Sequence, residues 1–449
     1  MAVESEHLAR LLRRMLETGD PAPLVEAYAD DAVLDLSVPG ERSVLTGPDP
    51  IAERLTRLWP GPAELVEWTP ACHLDGCAAW SERRGEDGVA ARHRQYLRLR
   101  DGAVARHWLY CAPPRSTAPE TVAGDPGAFD RLGAVAERTP LVSTGWSGNR
   151  IERVVLADGR TLIAKRVVPA ADWIGRATRD EGREALLHRS GAFDRMPPAI
   201  DPPVVDAWPE GDGAWWVAMR DVSAHLLDHE SMLPRERNRF VLASAAAMWE
   251  EFWNDDVPHA STLEDRLSMA SRGVAERERN GLDLLPKQFD AAWAAFAEAI
   301  EPDVAEPVLR LLEEPAPLAA ALDRHGSTLL HGDLRDENIG FADGRVIVLD
   351  WGLATRGHPV VDLAWYMVHD VWRIEATHDE VVEDFRCALG ERDEALAVEL
   401  GMIAGLVMYG WIFGHSAVVH PDPREREWAR AELSWWVPRV RRALESWSP

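Results

Sequence analysis

Lysine is almost missing from this 449-residue chain: of 49 basic residues only Lys165 and Lys287 are lysines, and the rest are arginines. Where arginine serves nearly everywhere else, a lysine marks a place that needs a compact ammonium. Cysteine is scarce as well. Cys72, Cys77, Cys111 and Cys387 make neither a disulfide framework nor a zinc pattern, because no second close pair follows Cys72 and Cys77, which read as buried thiols. No uninterrupted apolar run reaches membrane-spanning length. The N-terminal MAVESEHLARLLRRMLETGD is a charged amphipathic helix without the apolar centre of a secretory leader, so a cytoplasmic protein is expected.

Excess positive charge is lacking too. The formal net charge is -26, which argues against nucleic acid or an anionic membrane as the main partner. Residues 1–112 carry -5 of it and the remainder -21. The acidity therefore gathers on the larger part, where it would suit a cationic substrate such as a polyamine; a solvated acidic surface is the blander alternative. What the chain does have is 46% hydrophobic and 28% charged residues, the balance of a globular protein long enough for two or three domains.

The stretch Leu329–Gly352, LLHGDLRDENIGFADGRVIVLDWG, carries the chemistry. Phosphoryl transfer to an alcohol needs a carboxylate to orient the hydroxyl and take its proton, and divalent ions to neutralise the phosphates. Asp333 is the candidate base. Asn338, five residues on beyond a tight loop, offers a neutral oxygen, and Asp350, closing the apolar run from Val346 to Leu349, offers carboxylate oxygens; the two would face one Mg²⁺. The spacing follows the H-R-D-L-x-x-x-N and D-F-G signatures of protein kinases, with Gly332 for the arginine and Trp351 for the phenylalanine.

HGDLRDEN followed by VIVLDWG resembles the aminoglycoside phosphotransferase and choline kinase superfamily, over about Gly127 to Trp447. The resemblance implies an α+β, bilobal protein-kinase-like fold with ATP or GTP held between the lobes. It implies transfer of the γ-phosphate to a small hydroxylated substrate, a metabolite or an antibiotic. His331 would shape the catalytic loop, and Asp362 in GHPVVDLAW would brace it.

The smaller lobe is expected over 127–222 and a mostly helical one over 223–449. LVSTGWSGNR reads as a strand and turn in which Gly145, Ser147 and Gly148 let backbone amides approach phosphate, although the full G-x-G-x-x-G pattern is not there. IERVVLADGRTLIAKRVV is a hairpin about Asp158-Gly159 that puts Lys165 on the third strand, where kinases hold the α- and β-phosphates. Glu184 in REALL is expected to steady it, with Glu181 as the runner-up one turn earlier. AWWVAMRDV leads to the second lobe, and backbone groups near Met219, Asp221 and Val222 would bind the base. Arg220 stands where relatives often have glutamate.

Residues 1–112 read as a separate α+β unit, followed by a linker at 113–126 rich in Pro, Ala, Gly, Ser and Thr. YADDAVLDLSV, GPDPIAERL and DGAVARHWLY resemble the nuclear transport factor two-like and polyketide cyclase-like family, which implies a small cone-shaped domain. Pairing the last hairpin about Asp101-Gly102 puts His93, Gln95 and Leu97 on one face with Val104, Arg106, Trp108 and Tyr110, and His107 on the other. His93 and Arg106 then become candidates for an interior pocket. The alternative is a structural domain, or one that forms a homodimer.

Trp365, Trp372 and Trp411 are read as core or as platforms for a sugar or ring. Glu250, Glu251, Asp255, Asp256, Glu380, Glu383 and Asp384 are read as solvated helix faces or as lining of a substrate cleft. A small-molecule kinase is the reading that accounts for Lys165, Asp333, Asn338 and Asp350 together. A protein kinase would show HRD and an APE-ended activation segment; an inactive nucleotide sensor and a front-domain cyclase or isomerase remain as alternatives.

Overall fold

A computed structural model describes residues 5–38, 41–73, 76–84, 90–111, 129, 131–141, 150–211, 213–227, 231–279, 283, 285–420 and 423–447. The expected linker at 113–126 and the turn with Gly145, Ser147 and Gly148 lie outside the described residues. Two compact units emerge: Met1–Asp125 with His415–Ala431, and Pro126–Gly414 with Glu432–Pro449. Within the mostly helical lobe expected over 223–449, residues 415–431 group with the front unit. Apolar periodicity identifies a helix but not the body against which it packs.

In the first unit α1 (Ser5–Thr18) and α2 (Ala22–Val25) precede β1 (Tyr28–Val38) and β2 (Glu41–Thr46). Then come α3 (Pro48–Leu58), β3 (Glu64–His73), β4 (Gly76–Arg84), β5 (Ala90–Arg100) and β6 (Ala103–Cys111). The strands form one sheet in the order β2-β1-β6-β5-β4-β3, with β1 parallel to β6. In α1 the residues Leu8, Leu12, Met15 and Leu16 recur at helical spacing and are all buried, each contributing about 2 kcal/mol of apolar burial. Proline at the start of α3 fits a position whose N–H has no intrahelical partner.

The hairpin at Asp101-Gly102 has positive φ at both residues, 54° and 76°, as a two-residue turn of matching twist requires. Its register departs from simple pairing. Arg98 stands opposite Arg106 but Leu99 opposite Val104, so Ala105 is an extra residue that flips the following side chains to the other face. His107 and Leu109 therefore point inward beside His93, Gln95 and Leu97, while Arg106 is exposed. The expectation that Arg106 lines an interior pocket is corrected by this one bulge.

In the second unit β7 (Val135–Leu141), β8 (Arg150–Leu156) and β9 (Thr161–Val167) are followed by α4 (Trp173–Ala177) and α5 (Arg183–Arg189). After β10 (Ile200–Asp201), β11 (Val204–Pro209) and β12 (Trp215–Arg220), an antiparallel sheet is complete in the order β11-β12-β9-β8-β7. A mainly helical part follows: α6 (Arg235–Glu251), α7 (Leu263–Leu267), α8 (Arg272–Glu278), α9 (Phe289–Ala299), α10 (Pro302–Glu313) and α11 (Ala316–Asp323). Short strands β13 (Thr328–Leu330), β14 (Ile339–Ala342), β15 (Arg345–Val348) and β16 (Thr355–Gly357) interrupt it, and α12 (Val360–Asp370), α13 (His378–Leu389), α14 (Ala395–Val419) and α15 (Pro423–Ser446) close the chain. A sheet lobe joined to a helical lobe is the α+β kinase-like architecture.

By length and composition α14 is apolar enough to cross a membrane, which the reading that no segment reaches that length did not foresee. Most of it is buried, and its glycines are where other elements press in. A Cβ on Gly405 would lie 2.6 Å from Trp436, and one on Gly414 would lie 2.2 Å from the Phe296 backbone. Those contacts are those of a core helix.

Candidate active site

The HGD stretch forms the loop between β13 and β14, and the turn Asp343-Gly344 sends β15 back along β14 so that Val348 pairs with Ile339. That register brings Asn338 and Asp350 to the same end of the hairpin, where the Leu349 N–H donates to the Asn338 carbonyl at 2.8 Å. Gly332 is demanded by the fold. Its φ is +77°, and a Cβ there would lie 1.9 Å from the Leu353 carbonyl oxygen, so an arginine in this position could not be accommodated. Asp350 itself holds a left-handed conformation, φ 58° and ψ 71°, an uncommon one for a non-glycine residue and a mark of a functional turn.

Asp333 is the side chain around which the loop is tied. The Asn338 amide donates to Asp333 Oδ2 at 2.8 Å and to its carbonyl at 2.9 Å, and the Trp365 indole donates to Oδ1 at 2.8 Å. Arg335 approaches Oδ2 at 3.3 Å. Because the Asn338 NH₂ is spent on Asp333, its amide oxygen is the atom left to meet a cation.

Lys165 lies on β9 between Ile151 and Val217. Its ammonium is 2.7 Å from Asp350 Oδ1 and 3.3 Å from Glu184 Oε2. Burial alone would lower the Lys165 pKa, but the two carboxylates more than reverse this and raise it. Burial raises the Glu184 carboxyl against the pull of Lys165. For Asp350 burial acts upward too, but the ammonium and its hydrogen bond win and hold the carboxyl below its ordinary value. Glu181 takes no part in this pair; its carbonyl accepts the Trp215 indole.

Asp362, fully buried in α12, accepts the backbone N–H groups of His331 at 2.9 Å and Gly332 at 2.8 Å. His331 donates from Nε2 to the Leu349 carbonyl at 2.8 Å, which ties the loop to the strand before Asp350. It is fully buried and does not line the cleft, so it is a positioning residue rather than a catalytic one.

A cavity of about 140 Å³ is lined by Lys165, Glu184, Asp333, Arg335, Asp350 and Gly352 among others. Asp172 and Asp180 lie in its wall as well. Burial, with a contribution from Asp283, pushes the Asp172 carboxyl up to about 7. The wall thus holds five carboxylates against two cations, Lys165 and Arg335. Divalent cations would offset phosphate charge entering such a site; Asp350 lies in the wall and Asn338 does not, and oxygen donors of their kind suit Mg²⁺, which is typically held by one or two protein oxygens together with water and phosphate.

Several expected residues are placed elsewhere. Met219, Asp221 and Val222 do not line this cavity; the Asp221 carboxylate instead accepts from Ser223 and Arg153. Most of the acids considered for a substrate cleft are tied up in ion pairs: Glu250 with Arg392, Glu251 and Asp255 with Arg195, Glu380 and Asp384 with Arg235. Trp372 is 55% exposed, and Trp411 packs on Phe289.

Three arginines were missed as site residues, and Trp365, read as core or as a platform for a sugar or ring, instead donates to Asp333. Arg266, fully buried, donates twice to the Gly332 carbonyl at 3.0 and 2.8 Å and stacks 4.1 Å from the Trp365 ring centroid; burial pulls its guanidinium down to about 10. Arg183, beside Glu184, donates to the carbonyls of Gly352 and Thr178. Arg335 and Trp365 had sequence signals, two residues after Asp333 and three after Asp362. Arg266 had none, since only folding brings α7 beneath the loop.

The model of the Phosphotransferase enzyme family matches residues 142–397, more than half of the chain. No curated protein matches it. Among solved structures, the choline kinase LicA from Streptococcus pneumoniae aligns at 12% identity over 71% of this chain and 96% of its own, with a TM-score of 0.40. A choline/ethanolamine kinase family protein from Mesorhizobium loti aligns at 13% identity over 72% and 97%, TM-score 0.42. The aminoglycoside phosphotransferase APH(3'')-Id from Streptomyces rimosus aligns at 19% identity over 63% and 96%, TM-score 0.38.

Proposed function

This chain belongs to the Phosphotransferase enzyme family, and from that membership we propose that it transfers the γ-phosphoryl group of ATP or GTP to a hydroxyl of a small metabolite or antibiotic. The observation that carries the reading is the convergence of Lys165, Glu184, Asp333 and Asp350 on one cavity, with Asp333 held from both oxygens by Asn338 and Trp365.

In this reading Lys165, steadied by Glu184, holds the α- and β-phosphates. Asn338, through its amide oxygen, and Asp350 hold Mg²⁺, which neutralises phosphate charge when bound. Asp333 orients the acceptor hydroxyl and accepts its proton as that oxygen forms its bond to the γ-phosphorus and the bond to the nucleoside diphosphate breaks. Arg335, paired to Asp333 and Glu337, sits where charge develops on the transferred group. Of the seven acids considered for a substrate cleft, Glu250, Glu251, Asp255, Glu380 and Asp384 are paired with arginines, which weakens the case for a cationic acceptor at those positions.

For the front unit we propose a nuclear transport factor two-like domain; a single six-stranded sheet packed with three helices supports this. In its interior Tyr28 meets His107 at 2.6 Å, His107 meets Gln95 at 2.9 Å and Trp59 donates to His93 at 2.9 Å, while Ser81 Oγ, His93 Nδ1 and Gln95 Nε2 have no partner among the described residues; the engaged set supports a structural or dimerising role.

The test is Asp333→Asn assayed against a panel of hydroxylated metabolites and antibiotics for nucleotide-dependent gain of one phosphate. The wild type is expected to phosphorylate a member of the panel; the variant should lose about a thousandfold or more in kcat while binding MgATP as before. Full turnover by the variant would remove Asp333 from the mechanism.

A further inference from the structure

Between Lys165 on β9 and Glu184 on α5 the chain makes a detour that contains α4. Pro169, Asp172, Ile174, Gly175, Asp180 and Gly182 all line the catalytic cavity, so the detour forms one of its walls. It is nevertheless fastened to the helical lobe. Trp173, 2% exposed, packs edge-on against Phe289 of α9 with ring centroids 5.5 Å apart. Arg176 donates from Nε to Glu278, the last residue of α8, at 2.8 Å and from Nη2 to Asp283 at 3.1 Å. The two carboxylate side chains are 8% and 11% exposed, so water screens this clamp poorly. Arg179 adds an exposed tie to Asp265 of α7 at 3.0 Å.

The two lobes are thus joined twice, covalently by the chain running from β12 to α6 and non-covalently by α4. At about 140 Å³ the cavity is smaller than the roughly 300–1,000 Å³ of pockets that hold drug-sized molecules, a class that includes nucleoside triphosphates. The cleft must therefore widen to admit one. Lobes hinged at one place and pinned at another swing apart only when the pin lets go. Joints flank the pin, the 3-10 turn Pro169–Ala171 before it and Arg179, with φ 52°, after it. Because a helix of five residues is not stable alone in water, α4 persists only while docked, and its release exposes its amides.

We propose that α4 is a latch over the catalytic cleft, held shut by the clamp of Arg176 on Glu278 and Asp283, and that its release gates nucleotide entry. The gate deepens the phosphotransferase reading and rests on it. Nucleotide then associates at its intrinsic rate multiplied by the fraction of molecules whose latch is open. Weakening the clamp raises that fraction.

The test uses the full chain and two readouts: hydrogen exchange of the 173–178 amides followed by mass spectrometry, which needs no ligand, and stopped-flow association of a fluorescent ATP analogue with Mg²⁺. Arg176→Gln is expected to speed α4 exchange about tenfold and nucleotide association by the same factor. Glu278→Gln leaves Asp283 in place and should act in the same direction but less, and the two substitutions together should do no more than Arg176→Gln alone. The double variant leaves no unpaired charge at 278, so it separates release of the latch from damage to the fold. Arg392→Gln, which breaks an ion pair with Glu250, should alter neither readout. Unchanged α4 exchange in Arg176→Gln, faster exchange without faster association, or single effects that multiply in the double variant would overturn the latch. A wild-type chain that binds no nucleotide would sink the phosphotransferase reading and the gate with it, whereas nucleotide binding at a rate indifferent to Arg176 sinks the gate alone.

Discussion

Lys165→Met removes an ammonium from between two carboxylates and keeps most of the side chain's bulk. At an effective dielectric near 20, separations of 2.7 Å and 3.3 Å correspond to Coulomb attractions of about 6 and about 5 kcal/mol, most of which desolvation offsets. The Asp350 side chain is 47% exposed, so water screens its share heavily. Glu184, at 3%, has no such relief. Losing the cation should therefore cost about 3 kcal/mol, chiefly through Glu184. The buried carboxyl escapes part of this by taking up a proton. Its folded pKa, already raised by burial, rises further once Lys165 stops opposing it. The folded state then holds a proton that the unfolded state releases, so stability falls as pH rises. The urea midpoint of the second unit should drop, and drop more at about pH 8 than at about pH 5.5. Lys165→Met with Glu184→Gln should regain most of that stability and none of the phosphotransfer. A single variant as stable as wild type at both pH values, or a double variant no better than the single, would refute the reasoning.

Trp365→Phe keeps the ring and loses the N–H held by Asp333; kcat should fall about ten- to a hundredfold, with KM for ATP little changed, whereas a parallel loss of nucleotide binding would show general damage. Asp172 has a folded pKa of about 7 and an ordinary unfolded one, so its contribution is complete below about pH 4 and is lost as pH rises to about 7. Asp172→Asn should flatten urea midpoints over that window, and an unchanged slope would count against it. His93 and His107 are each lowered to about 3, by burial first, so the unfolded chain takes up their protons before the folded one does. The front unit should lose up to about 1.4 kcal/mol per pH unit for each histidine below about pH 6.5, and protection of the β5–β6 amides from hydrogen exchange that held down to pH 4 would contradict this.

What the sequence determined by itself was chemistry encoded over short spans. The HGDLRDEN loop, the strand ending at Asp350, the hairpin carrying Lys165 and the apolar repeat of α1 each depend on neighbours within about a dozen residues, where spacing sets geometry. Asp362 was legible through the family resemblance of GHPVVDLAW, which implied that it braces the loop, and it accepts the His331 and Gly332 N–H groups there. Tertiary structure alone decided the rest. One extra residue at Ala105 turned His107 inward and Arg106 outward, and no pattern of alternation announces a bulge. Acids that looked free on helix faces met arginines more than fifty residues away, and Arg266 came to hold Gly332 from a helix with no motif. The identity of residue 332 shows the division most plainly. The motif names a glycine there, but only the Leu353 carbonyl pressing against its α-carbon explains why no side chain can stand in that place: steric exclusion is a property of chain segments that meet in space, and the linear sequence does not contain it.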